Sequence, residues 1–436
     1  MRPFRIATVA LAAALAAPLF AEDWPQWRGP RADGSSLERG LPTSWSRSSG
    51  QCWSTELPGE GHSSPIVAKG SVFVTTALGA GHERALVRVD AASGRIVWTQ
   101  TVVRSDDLEP LHLENSHVSS TPAADAQAVY TSFYASGKAH LAAVGHDGKV
   151  LWAATPLRYR SMHGYHHNPL LLGDQLVLSF DALAEAAVLS LDTRTGKPRW
   201  RVPLPNDYPS NVAPFPVDAS GRKLVVVVGN DKTRAIDAAD GSVVWHASGP
   251  TKYCVAGPAA GAGIVFVNGG YPDRRSLGFK IAARGEVAPG DVAWESRKGT
   301  TYVPSPVFHE GTFYAVNDGG LATAWDARTG EVRWQERLNG RYRASLVLAE
   351  GRVYATNDAG ATTIFRAGPT RYEAVGSGDV GEFVYATPAL ADGRVFIRTK
   401  TRLVALGCGA RATSSPPAPA PPPDAARATA RTRFGR

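Results

Sequence analysis

Long helical segments are missing from this sequence of 436 residues. No stretch places apolar residues at helical spacing over three or four turns, and charged residues make up only 20% of the chain. Glycine and proline are instead abundant, with 44 and 31 residues, and there are 11 tryptophans. This composition favours many short strands joined by tight turns. The hydrophobic fraction of 43% is enough for a large core, so the chain is not disordered throughout.

Cysteine is scarce, and familiar catalytic motifs are absent. The three cysteines are not adjacent, and no pair has the spacing of metal ligands. The glycine-rich run 257–263 is not followed by a helix, so it does not cradle phosphate. Ser63 has no nucleophile-elbow context. We therefore predict neither a catalytic residue nor a metal site, and we expect a protein that is not an enzyme.

A strongly basic surface is also missing, despite a net charge of +8. Arg2 and Arg5 near the N-terminus carry +2 of this charge, and residues 409–436 carry a further +4. Only +2 remains for the rest of the chain, which leaves no basic footprint. We therefore expect no nucleic-acid partner.

The two basic ends divide the chain into three parts. Residues 1–21 are predicted to be a signal peptide, because two arginines precede an apolar, alanine-rich run that ends at Ala21. The run is too short for a comfortable span, so we expect cleavage before Glu22 and a periplasmic or secreted protein without a transmembrane span. Residues 22–408 are predicted to form the folded domain. Residues 409–436, rich in Pro, Ala and Arg, are predicted to be a disordered tail.

One short pattern recurs at intervals of about 38 to 54 residues, which is the period of propeller blades. A glycine is followed four positions later by an aromatic residue, and in most copies an Asp precedes the turn. The Asp bonds the backbone of the turn, and the glycine adopts the positive φ that closes it. The seven copies are Gly94 with Trp98, Gly148 with Trp152, Gly196 with Trp200, Gly241 with Trp245, Gly290 with Trp294, Gly330 with Trp334 and Gly368 with Tyr372.

The recurring aromatic residue predicts contact between blades. Side chains alternate between the two faces of a strand, so this residue lies on a fixed face of each outer strand. A large side chain repeated there is best explained by docking against the neighbouring blade. The predicted docking residues are Trp53, Trp98, Trp152, Trp200, Trp245, Trp294, Trp334 and Tyr372.

The last repeat lacks a closing strand, since it runs from Ala386 to Leu406 and stops. The segment 51–55, which contains the unpaired Trp53, supplies that strand. Both chain ends then join one sheet, and the closed ring removes exposed sheet edges. We therefore predict an all-β, eight-bladed β-propeller with four-stranded antiparallel blades. The closure also brings Cys52 and Cys408 into one blade, and whether they form a disulfide stays open.

The repeat is similar to the tryptophan-docking motif of PQQ-dependent alcohol dehydrogenases and to the propeller repeat of the outer-membrane assembly factor BamB. Residues 23–30 (DWPQWRGP) resemble the start of a group of exported PQQ-like repeat proteins. The resemblance extends from about Asp23 to Gly407. It implies the quinoprotein-like propeller fold, but a shared fold does not transfer chemistry.

The chain departs from both families that it resembles. The dehydrogenases carry an adjacent cysteine pair against the quinone and a Ca²⁺ ion beside an Asp base, whereas no two cysteines are adjacent here. Glu114-Asn115 is the only comparable acid–amide pair. We therefore expect no cofactor, with PQQ as a disfavoured alternative. BamB-type proteins are lipoproteins, and this chain has no lipobox cysteine.

Ligand sites of a propeller gather in the loops that precede the inner strands, around one mouth of the central channel. Many histidines of this chain lie in such loops, where imidazoles bind metals or bond the loop backbone. No paired spacing directs two of them to one point. The candidate residues at the channel mouth are His62, Asn115, His117, His163, His166, His167, Tyr253, Tyr302 and Arg343.

Full coverage by repeats without a catalytic set favours a non-catalytic binding or scaffolding propeller. We expect a monomer that binds a protein or a small polar ligand at the channel face. The alternatives are a PQQ- or metal-dependent periplasmic oxidoreductase and an outer-membrane assembly-factor-like protein. The missing adjacent cysteines argue against the first alternative, and the missing lipobox argues against the second.

Overall fold

The computed structural model describes residues 22–160, 162–205 and 210–408. The predicted signal peptide and tail lie outside these residues. The described chain folds into eight sheets, with two short 3-10 turns at Gly79–Gly81 and Pro289–Asp291. Within the described ranges, no helix is long and apolar enough to cross a membrane.

The strands follow one another along the chain, four to a blade. The first three are Ser35–Ser36 (β1), Ser44–Trp45 (β2) and Gln51–Glu56 (β3). Blade one contains Ile66–Ala68, Ser71–Leu78, Glu83–Asp90 and Ile96–Arg104 (β4–β7). Blade two contains Ala123–Ala124, Ala128–Ala135, Lys138–Gly145 and Val150–Ala154 (β8–β11). Blade three contains Leu170–Leu172, Gln175–Phe180, Ala187–Asp192 and Pro198–Pro203 (β12–β15). Blade four contains Phe215–Ala219, Arg222–Gly229, Lys232–Asp237 and Val243–Ser248 (β16–β19).

The second half repeats this plan with small variations. Blade five contains Ala259–Gly261, Ile264–Gly269, Arg275–Lys280 (β20–β22) and Trp294–Ser296 (β24), which pairs with β22. The strand in between, Gly285–Val287 (β23), instead pairs with β19 and adds a fifth strand to blade four. Blade six contains Val307–His309, Thr312–Val316, Leu321–Asp326 and Val332–Arg337 (β25–β28). Blade seven contains Val347–Ala349, Arg352–Thr356, Ala361–Arg366 and Ala374–Asp379 (β29–β32). The last strands are Ala389–Ala391, Arg394–Arg398 and Arg402–Leu406 (β33–β35).

The predicted eight-bladed propeller is confirmed. The four-stranded blades are antiparallel, and their central strands are buried on both faces between neighbouring blades. Such strands need apolar residues without alternation. The run Val225–Val228 of β17 shows this, because all four valines are buried and β-branched side chains suit a sheet.

The predicted closure by both chain ends is confirmed as well. Strand β3 pairs with β35, so the last blade has the order β3-β35-β34-β33. The register shifts between Gln51 and Trp53, and the residue in between, Cys52, forms a disulfide with Cys408. The third cysteine, Cys254, is buried and free.

Six of the outer-strand tryptophans contact the next blade through a shared geometry. Each indole N–H donates to a backbone carbonyl of the next blade at 2.8–3.1 Å. At the first of these contacts, a Cβ atom on Gly94 would lie 2.6 Å from the ring of Trp53, so only glycine allows the approach. The six pairs are Trp53 with Ala91, Trp98 with His146, Trp152 with Thr193, Trp200 with Ala238, Trp294 with Ala327 and Trp334 with Gly368.

Two of the proposed docking residues behave differently. The indole of Trp245 is fully buried beside Phe279, and its N–H has no partner among the described residues. The ring of Tyr372 packs on Trp334, on the side of blade six. Trp45 from the N-terminal segment instead belongs to the core cluster that blades seven, eight and one share.

The N-terminal residues 22–36, which we call the plug, cross one end of the central channel. They form hydrogen bonds with inner-strand residues, or residues next to them, in six blades: Val67, Ala124, Leu171, Pro258, Pro306 and Leu348. The buried Arg28 guanidinium donates to the carbonyls of blades five and six, and burial lowers its pKa to about 10. Strand β1 then pairs in parallel with β29 of blade seven. The plug therefore closes the end of the channel that lies opposite the loops preceding the inner strands.

Candidate functional site

A cavity of about 330 Å³ lies at the other end of the channel. The loops that precede the inner strands surround it, and the plug contributes Trp27. Most lining side chains are hydroxyls, amides, imidazoles and aromatic rings. The lining consists of Trp27, His62, Ser64, His112, Glu114, Asn115, Ser119, Thr121, His163, His166, Asn168, Asn211, Ala213, Val255, Tyr302, Val303, Arg343, Ser345, Tyr385 and Thr387.

A ring of hydrogen bonds runs around this cavity from blade to blade. In each link, a backbone N–H just before one inner strand donates to the side-chain oxygen at the equivalent position of a neighbouring blade, at 2.7–3.1 Å. Seven of the eight positions immediately precede a proline, which holds the backbone extended. The six links join Ser64 to Thr121, Thr121 to Asn168, Gly257 to Ser305, Ser305 to Ser345, Ser345 to Thr387 and Thr387 to Ser64.

The ring is interrupted at blades four and five. The equivalent residues there are Ala213 and Gly257, which have no side-chain oxygen to accept the next link. As a result, the backbone N–H groups of Asn168 and Ala213 have no acceptor among the described residues. Both residues line the cavity, as does Asn211 beside them. The gap therefore presents two donors and an amide on one side of the cavity.

A long loop between β7 and β8, residues 105–117, extends across the mouth, and we call it the strap. Its base is fixed by a buried ion pair between Arg84 and Glu109 at 2.9 Å, with His117 at 3.4 Å from the same carboxylate oxygen. Asn115 donates to the carbonyl of His163 in the loop before blade three. The strap therefore reaches from blade one over the cavity.

The far side of the strap is held by a charged contact with blade seven. The Glu114 carboxylate accepts hydrogen bonds from Nη2 and Nε of Arg343 at 2.7 and 2.9 Å and from Arg341 at 3.1 Å. These hydrogen bonds, with Arg343 first, lower the pKa of the Glu114 carboxyl. Arg343 also lies 3.6 Å from Asp318. The two arginines and two acids leave this side of the cavity without net charge.

Three histidines of the cavity lining, His62, His163 and His166, are mostly neutral at pH 7. Burial, with the charge of Arg398 as a smaller cause, lowers the pKa of His62 to about 4. Burial also lowers the pKa of His166 to about 4 and that of His163 below its ordinary value. Neutral imidazoles both donate and accept hydrogen bonds. They therefore add hydrogen-bonding groups to the cavity and no charge.

The structure brings six of the nine predicted mouth residues into the cavity: His62, Asn115, His163, His166, Tyr302 and Arg343. Three others lie elsewhere. His167 is buried among Tyr159, Tyr165 and Phe180, and His117 pairs with Glu109 at the base of the strap. Tyr253 packs on Tyr271.

Several lining residues were missed at the level of sequence. Trp27 stands in the opening segment, whose motif indicated a family resemblance and not a position in the channel. The ring residues had a usable signal, because a hydroxyl or amide residue followed by proline recurs before most inner strands. Among the described residues, no group of three or more His, Cys, Asp or Glu could hold a metal ion.

The fold and its recurring Gly-x-x-x-Trp docking contact define a quinoprotein-like propeller built from PQQ-type repeats. The family model described as outer membrane protein assembly factor BamB matches residues 38–160, 137–271 and 279–406, which together span most of the chain. The chain therefore belongs to this family of PQQ-like repeat propellers, as its sequence motifs predict. A comparison with curated proteins found no match.

Solved structures share the fold at low sequence identity. BamB from Moraxella catarrhalis is 13% identical with a TM-score of 0.56, over 81% of this chain and 96% of that one. A quinohemoprotein alcohol dehydrogenase from Comamonas testosteroni is 12% identical with a TM-score of 0.59, over 90% and 82%. A europium-containing methanol dehydrogenase is 11% identical with a TM-score of 0.63, over 88% and 90%. Likeness at this level shows the fold alone.

Proposed function

We propose that this protein is an exported, monomeric and non-catalytic binding module whose cavity takes a small uncharged ligand rich in oxygen. The interrupted ring carries this proposal. Two backbone N–H groups, of Asn168 and Ala213, lack acceptors among the described residues in a ring whose six other links are made. Both residues are half-buried and line the cavity, so a ligand oxygen that accepts from these N–H groups supplies the missing hydrogen bonds and gains affinity.

The charge of the cavity supports an uncharged ligand. Arg343 is the only lysine or arginine among the described lining residues, and it is already paired with Glu114 and Asp318. Three of the four lining histidines, His62, His163 and His166, are mostly neutral at pH 7 because burial lowers their pKa. An anionic ligand would have to displace an existing ion pair, whereas hydroxyl groups match the amides and hydroxyls that are present.

The same observations argue against PQQ. This cofactor is an anionic quinone, and the cavity offers no free cation to neutralise it. The dehydrogenases that this chain resembles use an adjacent cysteine pair and a Ca²⁺ site. Here the described residues hold one free cysteine, Cys254, which is buried with a pKa raised to about 12 by burial. The side chains that line the cavity therefore do not fit this cofactor.

Thermal melting in the presence of defined ligands tests the proposal. A ligand at a hundred times its Kd stabilises the folded state by about 2.7 kcal/mol. We expect a neutral monosaccharide or disaccharide from a panel to raise Tm, and Asn211→Ala to abolish the rise. The matched control Asn339→Ala changes an exposed loop residue outside the cavity and should keep it. A Tm rise with PQQ and Ca²⁺, together with dye reduction, would instead establish the oxidoreductase alternative.

A protein partner is the second candidate function, and exposed apolar side chains at the mouth favour it. Leu113 of the strap is 99% exposed, and Phe383 beside it is 41% exposed. Both line a smaller cavity of about 260 Å³ next to the first. Exposed apolar side chains that lie together at the rim of a cavity favour a protein contact more than single scattered ones do. A photo-crosslinker at position 113 should then form a protein adduct in cell envelopes, and one at the exposed Leu37 should not. Adducts of equal yield from both positions would contradict this candidate.

A further inference from the structure

The first described residue, Glu22, is held firmly at the start of the plug. Its carboxylate accepts hydrogen bonds from Arg31 at 2.6 and 3.0 Å and from the backbone N–H of Leu37 at 2.9 Å. Partial burial raises the pKa of this carboxyl, but the hydrogen bonds from Arg31 outweigh burial and the pKa is lowered. Glu22 is also the residue that the predicted signal cleavage would leave at the new N-terminus. Its backbone nitrogen therefore has a defined position in the fold.

That nitrogen points to a buried acid. The backbone N–H of Glu22 donates to Oε1 of Glu38 at 2.5 Å. The other oxygen of Glu38 accepts from the backbone N–H of Gly393, in the first turn of blade eight, at 2.7 Å. Glu38 is only 3% exposed. It lies between the plug and the blade that closes the ring.

The Glu38 carboxylate lacks a cationic partner. No lysine, arginine or histidine of the described chain forms an ion pair with it, and the nearby Arg31 pairs with Glu22. A buried carboxylate without a compensating positive charge is strongly unfavourable. The 22 ion pairs of the described residues are mostly at the surface, and each acid in them has a cationic partner. Glu38 differs from those acids because it is buried and has none.

We propose that Glu38 is the receptor for the α-ammonium group created by cleavage between Ala21 and Glu22. Hydrolysis adds one water across that peptide bond, leaving a carboxylate on Ala21 and an ammonium group on Glu22. The positive charge then appears at the atom that already bonds Glu38, and it supplies the missing partner. This hydrogen bond becomes charge-assisted and therefore stronger than one donated by a neutral amide N–H.

The consequence is that removal of the leader completes the propeller. The ion pair ties residue 22 to the turn of blade eight through Glu38, while the rest of the plug bonds six other blades. In the uncut chain, the same acid stays buried opposite a neutral amide. The processed chain is therefore the more stable form, and the inference rests on the proposed export and its cleavage site.

Three forms of the full mature chain test this directly. The first begins at Glu22 with a free amine, the second has Gly-Ser before Glu22, and the third is the first with its amine acetylated. Mass spectrometry should establish that Glu22 has not cyclised, because cyclisation removes the charge. We expect the extended and acetylated chains to melt about 1–3 °C below the free-amine chain, because the large unfolding entropy of a domain of this size keeps the Tm shift small.

Substitution of Glu38 distinguishes the ion pair from a general effect of the extension. Glu38→Gln should remove the difference between the free-amine and extended chains, and the control Glu60→Gln, at an exposed position, should keep it. Equal Tm for all three wild-type forms, or a difference that survives Glu38→Gln, would overturn the proposal.

A second measurement covers the case in which Glu38→Gln does not fold. In the wild-type free-amine chain, the paired ammonium should be acetylated about tenfold more slowly than the same amine in a Glu22–Arg31 peptide. Equal rates would also overturn the proposal. N-terminal sequencing of the exported protein supplies the remaining check, because a cut at another bond would leave no amine beside Glu38.

Discussion

Replacing Glu114 with glutamine should release the strap from blade seven. Three hydrogen bonds join its carboxylate to Arg343 and Arg341, and the Glu114 side chain is about one-third exposed. Charge-assisted bonds in a partly exposed site contribute about 1–2 kcal/mol together. The fraction of molecules with an open strap should therefore rise about 5- to 30-fold.

Hydrogen exchange measured by mass spectrometry follows this opening. Peptides covering residues 105–117 should exchange faster in Glu114→Gln, while peptides from the blades keep their wild-type rates. Glu373 offers a matched control, because its carboxylate accepts two hydrogen bonds from Arg366 at the turn between β31 and β32 and is similarly exposed. Glu373→Gln should leave the strap unchanged. Unchanged exchange in Glu114→Gln, or an equal increase across all blades, would refute the role of this contact.

The pH dependence of the strap follows from the lowered pKa of the Glu114 carboxyl. Because the pKa is lowered in the folded state, the contact stabilises the closed strap fully at pH values above the ordinary Glu pKa of about 4.3. This stabilisation is lost as pH falls through the lower pKa that Glu114 has in the folded state. Strap exchange, corrected for its intrinsic rate, should therefore be constant between pH 6 and 8 and faster at pH 3. A strap that opens between pH 6 and 8 would point to a histidine instead.

Two further predictions concern stability. Cys408→Ser removes a crosslink between residues 356 positions apart and should cost about 2–5 kcal/mol in the free energy of unfolding, measured by denaturant titration; a midpoint equal to that of the wild type would contradict it. Burial raises the pKa of Asp181 to about 7, so its protonated form stabilises the fold below the ordinary Asp value and this stability is lost as pH rises through 7. Asp181→Asn should therefore raise Tm relative to the wild type at pH 8 but not at pH 4, and an equal effect at both pH values would argue against a buried acid.

The blade count and the ring closure could be predicted because they rest on local, repeated patterns. A turn glycine followed by an aromatic residue has the same meaning in every blade, and the unpaired Trp53 matches the missing strand after Leu406. The position of Tyr372 was less predictable. It fits the repeat, but its ring packs on Trp334. Trp45 packs in a different core cluster, and the parallel pairing of its strand β2 with β32 has no local pattern in the sequence.

The candidate site was predictable only as a region. Loop position indicates the mouth, but it does not tell which side chain turns inward, so His167 and Tyr253 were chosen although neither lines the cavity. The strap contact between Glu114 and Arg343 spans 229 positions and has no counterpart in other blades. Contacts of this kind follow from the path of one loop over the folded ring and not from residue spacing.

The plug makes the central channel a well with a single opening. Whatever occupies the cavity must enter and leave by the same route, past the strap. A looser strap therefore speeds both arrival and departure. Departure gains more than arrival, because His112, Glu114 and Asn115 of the strap also line the cavity and their contacts with an occupant are lost on opening. One loop thus governs both how fast a molecule exchanges and how tightly it is held.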